Sequence, residues 1–254
     1  MKKSIASEVE KASIPYQRIT PDALFHFSKN IDTIITILKE GFKPSVSMEE
    51  IPSNPAEPLV MGVPMVSFCD IPISQIREHI SKYGKFGIGM TKKWGIQKGL
   101  SPVLYVSKNS NVFGLIINIM VEFAKGARPN SKKKDGFDAA IHLMSYTKPY
   151  QGIAHRKSGD IPDVRFYDER EWRYVLGGIQ LIPRNRIEEF LQIGVTERLT
   201  FELSEVKYLF VEKRSDVLDL IHKIMALERE GKNFNDILML ISRIITCEDL
   251  YEDF

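Results

Sequence analysis

The stretch that decides the fold of this chain is Phe166-Tyr167-Asp168-Glu169-Arg170-Glu171-Trp172-Arg173-Tyr174-Val175. Five of its ten residues are charged, yet they are interleaved with aromatic and β-branched side chains that favour strands. In a strand, Glu169 and Glu171 project to one face about 7 Å apart, and Trp172 and Tyr174 project to the other, into the core. Like charges so placed repel, and burial raises the pKa of at least one of them. The stretch therefore predicts either an acid/base site or a plain solvated edge strand.

Working outward, short strands and helices alternate irregularly along the chain. Residues 24–27 are typical of a strand, Asn30 suits a helix N-cap, and Gly41 suits the end of that helix. The patterns predict further strands at 64–70, 83–90, 102–106, 166–176, 179–182 and 206–211, helices at 75–82, 92–98, 110–125, 215–229 and 234–246, and a proline-rich surface loop at 43–62. Strands dispersed among helices without strict alternation favour an α+β fold.

We expect this fold to form one domain over residues 1–254. Residues 1–20 are polar and predict an N-terminal arm, whereas residues 212–254 predict a C-terminal helical pair packed on the domain. Residual apolar surface on the last helix would suit a homodimer interface, although core packing is the ordinary use of such a face.

Composition narrows the class of protein. The 254 residues are 43% hydrophobic and 27% charged, which is typical of a globular protein. The formal charge is +2, so a dedicated nucleic-acid coat is not indicated, and we interpret Lys132-Lys133-Lys134 as a solvated loop tip, with a local nucleic-acid contact as the alternative. No apolar run reaches the roughly 20 residues of a membrane span. Only Cys69 and Cys247 are present, without disulfide or metal spacing, and we expect a cytoplasmic protein.

Two polar residues lie inside predicted strands. His26 follows Leu24 and Phe25, so it is either a core residue with one satisfied ring nitrogen or a hydrogen-bond donor that faces a ligand cleft. Ser67 shares a strand face with its neighbours two residues away, where a small side chain fits a crowded sheet or a ligand. The five histidines show no metal-ligand spacing, and we predict no zinc site.

Several blocks together resemble the AbiGi family of bacterial abortive phage resistance proteins. They are LFHFS at 24–28, VSFCDIP at 66–72, YGKFGIGM at 83–90, KWG at 93–95, PVLYV at 102–106 and YDEREWRYV at 167–175. The resemblance covers about residues 22–215, with SFCD and EREWR as its most distinctive parts. Members are labelled antitoxins, so the resemblance implies a cytoplasmic phage-defence protein with a cognate toxin or a host or phage protein as partner.

The order of these blocks also resembles ADP-ribosyltransferase-like domains. Such domains have a histidine or arginine on the first strand, a serine or tyrosine on a middle strand, and a late glutamate. His26, Ser67 or Tyr83, and then Glu169 and Glu171 occur here in that order, although they mix the patterns of two subclasses. The resemblance implies a split of two small sheets flanked by helices, with NAD bound in the cleft between them.

The same resemblance implies a role for each residue. His26 would hydrogen-bond the adenosine-side ribose, Ser67 would support a glutamate or the nicotinamide ribose, and Tyr83 would stack on the nicotinamide ring. Glu171 would bind the ribose 2′-hydroxyl and stabilise the oxocarbenium-like charge, and Glu169 would orient or deprotonate the acceptor. The acceptor could be a protein, a nucleic acid or a small molecule.

A non-catalytic module is the competing interpretation. Glu169, Arg170, Glu171 and Arg173 alternate in sign, and on an exposed strand they would form an ion-pair surface that contributes little to stability. Such a surface would suit a protein partner such as a cognate toxin.

Overall fold

The computed structural model describes residues 21–50, 59–107, 109–125, 131–154, 161–183 and 195–253. Its strands are β1 (Ala23–Ser28), β2 (Ser45–Glu50), β3 (Leu59–Cys69), β4 (Phe86–Thr91), β5 (Ser101–Pro102), β6 (Leu104–Val106), β7 (Thr147–Pro149), β8 (Gly152–Ala154), β9 (Ile161–Val164), β10 (Glu171–Val175), β11 (Gln180–Pro183), β12 (Val206–Val211) and β13 (Ile244–Thr246). Its α-helices are α1 (Ile31–Glu40), α2 (Ile76–Tyr83), α3 (Lys92–Gln97), α4 (Val112–Ala124), α5 (Lys132–Ser145), α6 (Asp216–Met225), α7 (Phe234–Ile241) and α8 (Cys247–Asp253). The mixed α+β class is confirmed.

The first strand–helix unit forms as its sequence predicts. The Asn30 side chain accepts a hydrogen bond from the Asp32 backbone N–H at 2.8 Å, which caps the start of α1. Gly41 ends the helix at φ 89°, a left-handed conformation that glycine adopts without a steric penalty. Ile34, Ile35, Ile37 and Leu38 face the core, so the helix packs its apolar side onto the sheet.

Nine of the strands form one sheet. Its order is β13-β12-β4-β1-β3-β10-β5, and β2 and β11 pair with the first half of the long strand β3. All these pairs are antiparallel except β12 with β13. Two small ribbons, β6 with β7 and β8 with β9, lie outside it.

The sheet is nearly divided at one place. Strands β1 and β3 share a single register pair, Phe25 with Cys69, whereas β1 and β4 are paired from Ala23 to Ser28. The same edge of β3 pairs with β2 only as far as Met65, so Ser67 lies in the gap between β1 and β2. The expectation of two separate small sheets is therefore wrong as stated, because the Phe25–Cys69 pair and the length of β3 keep one continuous sheet.

Apolar clusters cover both faces of this sheet. On one face, the core around Trp94 and Phe68 contains apolar side chains of α1, α3, α6 and α7. The other face has two clusters, one around Phe25 and Ile76 that includes α2 and one around Met65 that includes α4 and α5. Trp172 and Tyr174 pack on the first core, as predicted.

The structure corrects the prediction of one strand over 166–176. Residues Phe166–Glu169 form a 3₁₀ turn, Arg170 adopts the left-handed region at φ 42°, and β10 begins only at Glu171. The two glutamates are therefore not neighbours on one strand. Strand β10 also lies between β3 and β5 with Arg173 fully buried, so the solvated edge strand is excluded.

Four other predictions also change. Strands β2 and the start of β3 occupy part of the predicted loop at 43–62, and Lys132-Lys133-Lys134 opens α5 behind the Ser131 N-cap instead of forming a loop tip. Tyr83 ends α2 rather than beginning a strand. The predicted helix 234–246 ends at Ile241, because residues 244–246 pair with β12 as a strand. The N-terminal arm at 1–20 lies outside the described residues.

Candidate functional site

The five residues singled out in the sequence line one cavity. Its volume is about 260 Å³, and its wall includes His26, Ser67, Tyr83, Glu169 and Glu171. The cavity lies at the gap along β3 between β1 and β2. Three of these residues come from strands, one from the end of α2 and one from the 3₁₀ turn before β10. Sheet register and the turn thus bring together residues that span 145 positions of the sequence.

Glu171 is the most constrained of them. Its side chain is 7% exposed, and four hydrogen bonds converge on its two oxygens. Oε1 accepts from Ser67 Oγ at 2.7 Å and Arg173 Nε at 2.8 Å, and Oε2 accepts from Lys148 Nζ at 3.0 Å and Arg173 Nη2 at 3.1 Å. The backbone N–H of Glu171 donates to the Tyr105 hydroxyl at 2.8 Å.

These partners keep the carboxylate ionised. Burial acts to raise the pKa of Glu171, but the charges of Lys148 and Arg173 and the hydrogen bonds from Arg173 and Ser67 outweigh it and lower that pKa to about 2. Glu171 is therefore an anion at neutral pH despite its burial.

Arg173 is a buried residue that bonds to two carboxylates of the site. Its side chain has no exposed surface, and besides Glu171 it donates to the Ser145 carbonyl at 2.6 Å and to Glu49 Oε1 at 2.9 Å. Burial acts to lower the pKa of Arg173, but Glu49 and Glu171 raise it above its ordinary value. A buried guanidinium with this planar fork fixes two carboxylates in one orientation.

Lys148 joins the two glutamates that the sequence predicted as a pair. Its Nζ donates to Glu169 Oε2 at 2.7 Å and to Glu171 Oε2 at 3.0 Å, and it lies 4.8 Å from the ring centroid of Phe166. Burial acts to lower the pKa of Lys148, but Glu171 and Glu169 raise it above its ordinary value. The ammonium group lies between the two carboxylates and pairs with both, which offsets the repulsion predicted between them.

Tyr83 and His26 occupy other parts of the wall. The Tyr83 hydroxyl donates to Glu169 Oε1, and burial and the Glu169 charge raise the pKa of this phenol. His26 Nδ1 lies 2.9 Å from the Ser67 carbonyl oxygen and donates to it, in the gap where β1 and β3 have ceased to pair. Burial lowers the pKa of His26, so its neutral form is favoured. This half-buried imidazole packs edge-on against the core ring of Phe42, has one satisfied nitrogen and forms part of the cavity wall.

The formal charges around the cavity are unequal in number. Three carboxylates, Glu49, Glu169 and Glu171, face two cations, Lys148 and Arg173, which leaves one negative charge. In a partly buried site such a charge favours a cation or a group that becomes positive during a reaction.

A second cavity of about 360 Å³ shares His26 with the first. Its wall includes the acidic Asp32 and other polar side chains of α1, together with two basic residues, Lys43 and Arg198, of which Arg198 pairs with Glu40 at 3.2 Å. The imidazole of His26 therefore contributes to both cavities.

Sequence reasoning missed Lys148 and Glu49 and misplaced Arg173. Lys148 lies on β7, whose parallel pairing with β6 has no local sequence signal, and Glu49 lies on a strand within the predicted loop. Arg173 was predicted only as part of an exposed ion-pair surface with Glu171, whereas both side chains are buried. The burial of both could have been inferred only from the position of β10 inside the sheet.

Comparisons with known proteins identify the family. Residues 56–191, more than half of the chain, match the family model described as "Putative abortive phage resistance protein AbiGi, antitoxin". The chain belongs to the AbiGi family. The abortive phage resistance protein AbiGi of Lactococcus lactis subsp. cremoris is 28% identical, in an alignment that covers 76% of this chain and 89% of the relative. The match to the family model contains Ser67, Tyr83, Glu169 and Glu171 and begins after His26.

No solved structure matches the chain. The described helices include none with the length and apolar character to cross a membrane.

Proposed function

We propose that this AbiGi-family protein acts in abortive phage resistance as an ADP-ribosyltransferase-like enzyme with NAD as its substrate. The observation that carries the proposal is the cavity where the five residues expected from that resemblance meet. Glu171, the expected catalytic residue, is held as an anion by Ser67, Arg173 and Lys148. A structural ion pair alone would not require a lined cavity beside it.

The chemistry follows from the charge of the cavity. As the glycosidic bond between ribose C1′ and the nicotinamide nitrogen breaks, its electron pair leaves with nicotinamide and positive charge develops on the ribose. Glu171 stabilises that charge and accepts a hydrogen bond from the 2′-hydroxyl. The acceptor oxygen or nitrogen then bonds to C1′ and gives its proton to Glu169.

The sizes of the two cavities support a division of the substrate between them. The first, about 260 Å³, is smaller than the roughly 300–1,000 Å³ of ordinary ligand pockets, so it suits only the nicotinamide ribose end. The remainder of the dinucleotide passes His26 into the second cavity, where Lys43 is the cation that would pair with a phosphate.

A non-catalytic antitoxin or regulatory subunit is the second candidate, and a separate observation favours it. Helix α4 leaves Leu115 60% exposed and Ile119 47% exposed, which is typical of a surface that contacts another protein. The buried Glu171 and Arg173 cannot serve that contact, so a toxin would bind elsewhere on the chain.

Labelled NAD distinguishes the two candidates. The wild-type protein, with host and phage lysate, should release nicotinamide and transfer label, and Glu171→Gln should reduce both by at least about 100-fold because a transition-state contact is lost. Glu122→Gln is the matched control, since Glu122 is exposed on α4 and distant in sequence from the cavity residues. Equal nicotinamide release by wild type and Glu171→Gln would refute the enzyme and leave the binding subunit.

A further inference from the structure

The hydrogen-bond capacity of Glu171 is fully used. A carboxylate has two oxygens and about four lone-pair sites. Ser67 Oγ, Arg173 Nε, Arg173 Nη2 and Lys148 Nζ supply four donors, two to each oxygen. A ligand hydroxyl can donate to Glu171 only if one of these donors leaves.

The two donors of Arg173 cannot leave without disturbing buried contacts, whereas the uncharged Ser67 hydroxyl can rotate about its Cα–Cβ bond. Ser67 and Arg173 are register partners on β3 and β10. The guanidinium of Arg173 is fully buried and also bonded to Ser145 and Glu49. Displacing the guanidinium of Arg173 would leave the buried Ser145 carbonyl and Glu49 without this partner.

Lys148 differs from Arg173 in its place in the fold and in the partners of its charge. It lies on β7, outside the nine-stranded sheet, and its ammonium is a point charge on a flexible stem. Its bond to Glu171 is 3.0 Å, whereas its bond to Glu169 is 2.7 Å, and Phe166 lies beneath it. If Nζ leaves Glu171, its charge is still paired by Glu169.

We infer that Lys148 is a displaceable latch that occupies the position on Glu171 Oε2 where a ribose hydroxyl binds. The latch deepens the proposed function, on which it rests, by adding a positioning residue with a role in specificity. Only a ligand whose hydroxyl replaces the Lys148 hydrogen bond gains access to Glu171. A 2′-deoxyribosyl compound cannot make that exchange and binds with Lys148 still on Glu171, so in the wild type the gain from the 2′-hydroxyl bond is offset by the loss of the Lys148 bond.

The test compares two probes that differ in one hydroxyl, nicotinamide riboside and its 2′-deoxy form. Both carry the same positive charge, so any effect of removing the Lys148 charge cancels in the ratio of their dissociation constants. Lys148→Met should raise the preference for the ribo form about five- to tenfold. This factor is the ordinary contribution of one hydrogen bond, which in the variant is no longer offset by the loss of the bond from Lys148 to Glu171. Lys148→Arg, which keeps the charge and a donor, should show no such increase, and neither should Lys93→Met, an exposed control.

The outcomes separate the latch from the proposed function. If both proteins bind the ribo form and the ratio in Lys148→Met equals that of wild type, the latch is overturned and the proposed function is not. If neither riboside binds any variant, the proposed function fails and the latch, which rests on it, fails with it. An unchanged pKa of Glu171 in Lys148→Met, measured by NMR titration of the free protein, would show that Lys148 does not contact Glu171 and would also overturn the latch. Lys148→Gln serves if Lys148→Met does not fold.

Discussion

Replacement of Arg173 by methionine tests whether a buried charge network holds the site. Methionine has a similar length and no charge, so the change removes the guanidinium with little loss of volume. It deletes the bonds to Glu171, to Glu49 and to the Ser145 carbonyl. Lys148 and Ser67 remain on Glu171, but the Ser145 carbonyl loses the hydrogen bond from Arg173.

The magnitude follows from the burial. Breaking a buried ion pair by removing one partner costs about 3–5 kcal/mol, because the other charge is left incompletely compensated. Arg173 is 0% exposed and Glu171 is 6% exposed, so solvent cannot replace the lost partner. For a chain of this size, 1 kcal/mol corresponds to roughly 2–4 °C in Tm, so Arg173→Met should lower Tm by roughly 6–20 °C.

Urea denaturation and thermal melting measure this effect. The matched control is Arg214→Met, because Arg214 pairs with Asp249 and Glu252 on the surface, where solvent screens the charges and the loss of stability should be small. Adding Glu171→Gln to Arg173→Met should cost less than Glu171→Gln costs alone, since the anion that lost its cation is then also removed. A loss for Arg173→Met no greater than that for Arg214→Met would show that the buried network contributes no stability, and the reasoning about the site would fall with it.

Two further predictions concern pH and one glycine. The folded pKa of Glu171, about 2, lies below its ordinary value of 4.5, so the stability it contributes is complete above pH 4.5 and is lost as the pH falls toward 2. Urea titrations over that range should show wild type losing about 3 kcal/mol more than Glu171→Gln, and parallel losses would contradict the shift. Gly84→Ala should destabilise far more than Gly99→Ala in the same assay, because a Cβ on Gly84 would lie 2.2 Å from the Ser28 backbone, whereas none lies within 4 Å at Gly99. Both have positive φ, so equal losses would mean that the close approach at Gly84 is not real.

Local signals predicted those elements whose stability is local. The Asn30 cap and the Gly41 end of α1 were predicted correctly, because cap and glycine signals act within one helical turn. Strand β12 was also predicted with its observed limits. The residues from Ile244 to Thr246 were predicted as helix, because their strand conformation depends on pairing with β12 and their apolar spacing does not reveal it.

The sequence predicted some features of the candidate site and not others, for the same reason. The charged run at 166–175 indicated from its composition that Glu169 and Glu171 act together, and the block order placed His26, Ser67 and Tyr83 with them. The prediction that the two glutamates lie on one strand was wrong, because Arg170 turns the chain in the left-handed region before β10 begins. Their common partner Lys148 is invisible in the sequence, since it arrives from β7, more than twenty residues away.

By itself, the sequence determined the α+β class, the AbiGi resemblance and the set of candidate site residues, because composition, periodicity and caps are local properties. Only the tertiary structure decided that Arg173 is buried, that Lys148 bridges the carboxylates, and that the cavity opens where β1 and β3 cease to pair. The physical reason is that ionisation and hydrogen-bond capacity depend on what surrounds a group in space. For Glu171, each of its four hydrogen-bond donors comes from a residue whose position is set by sheet pairing.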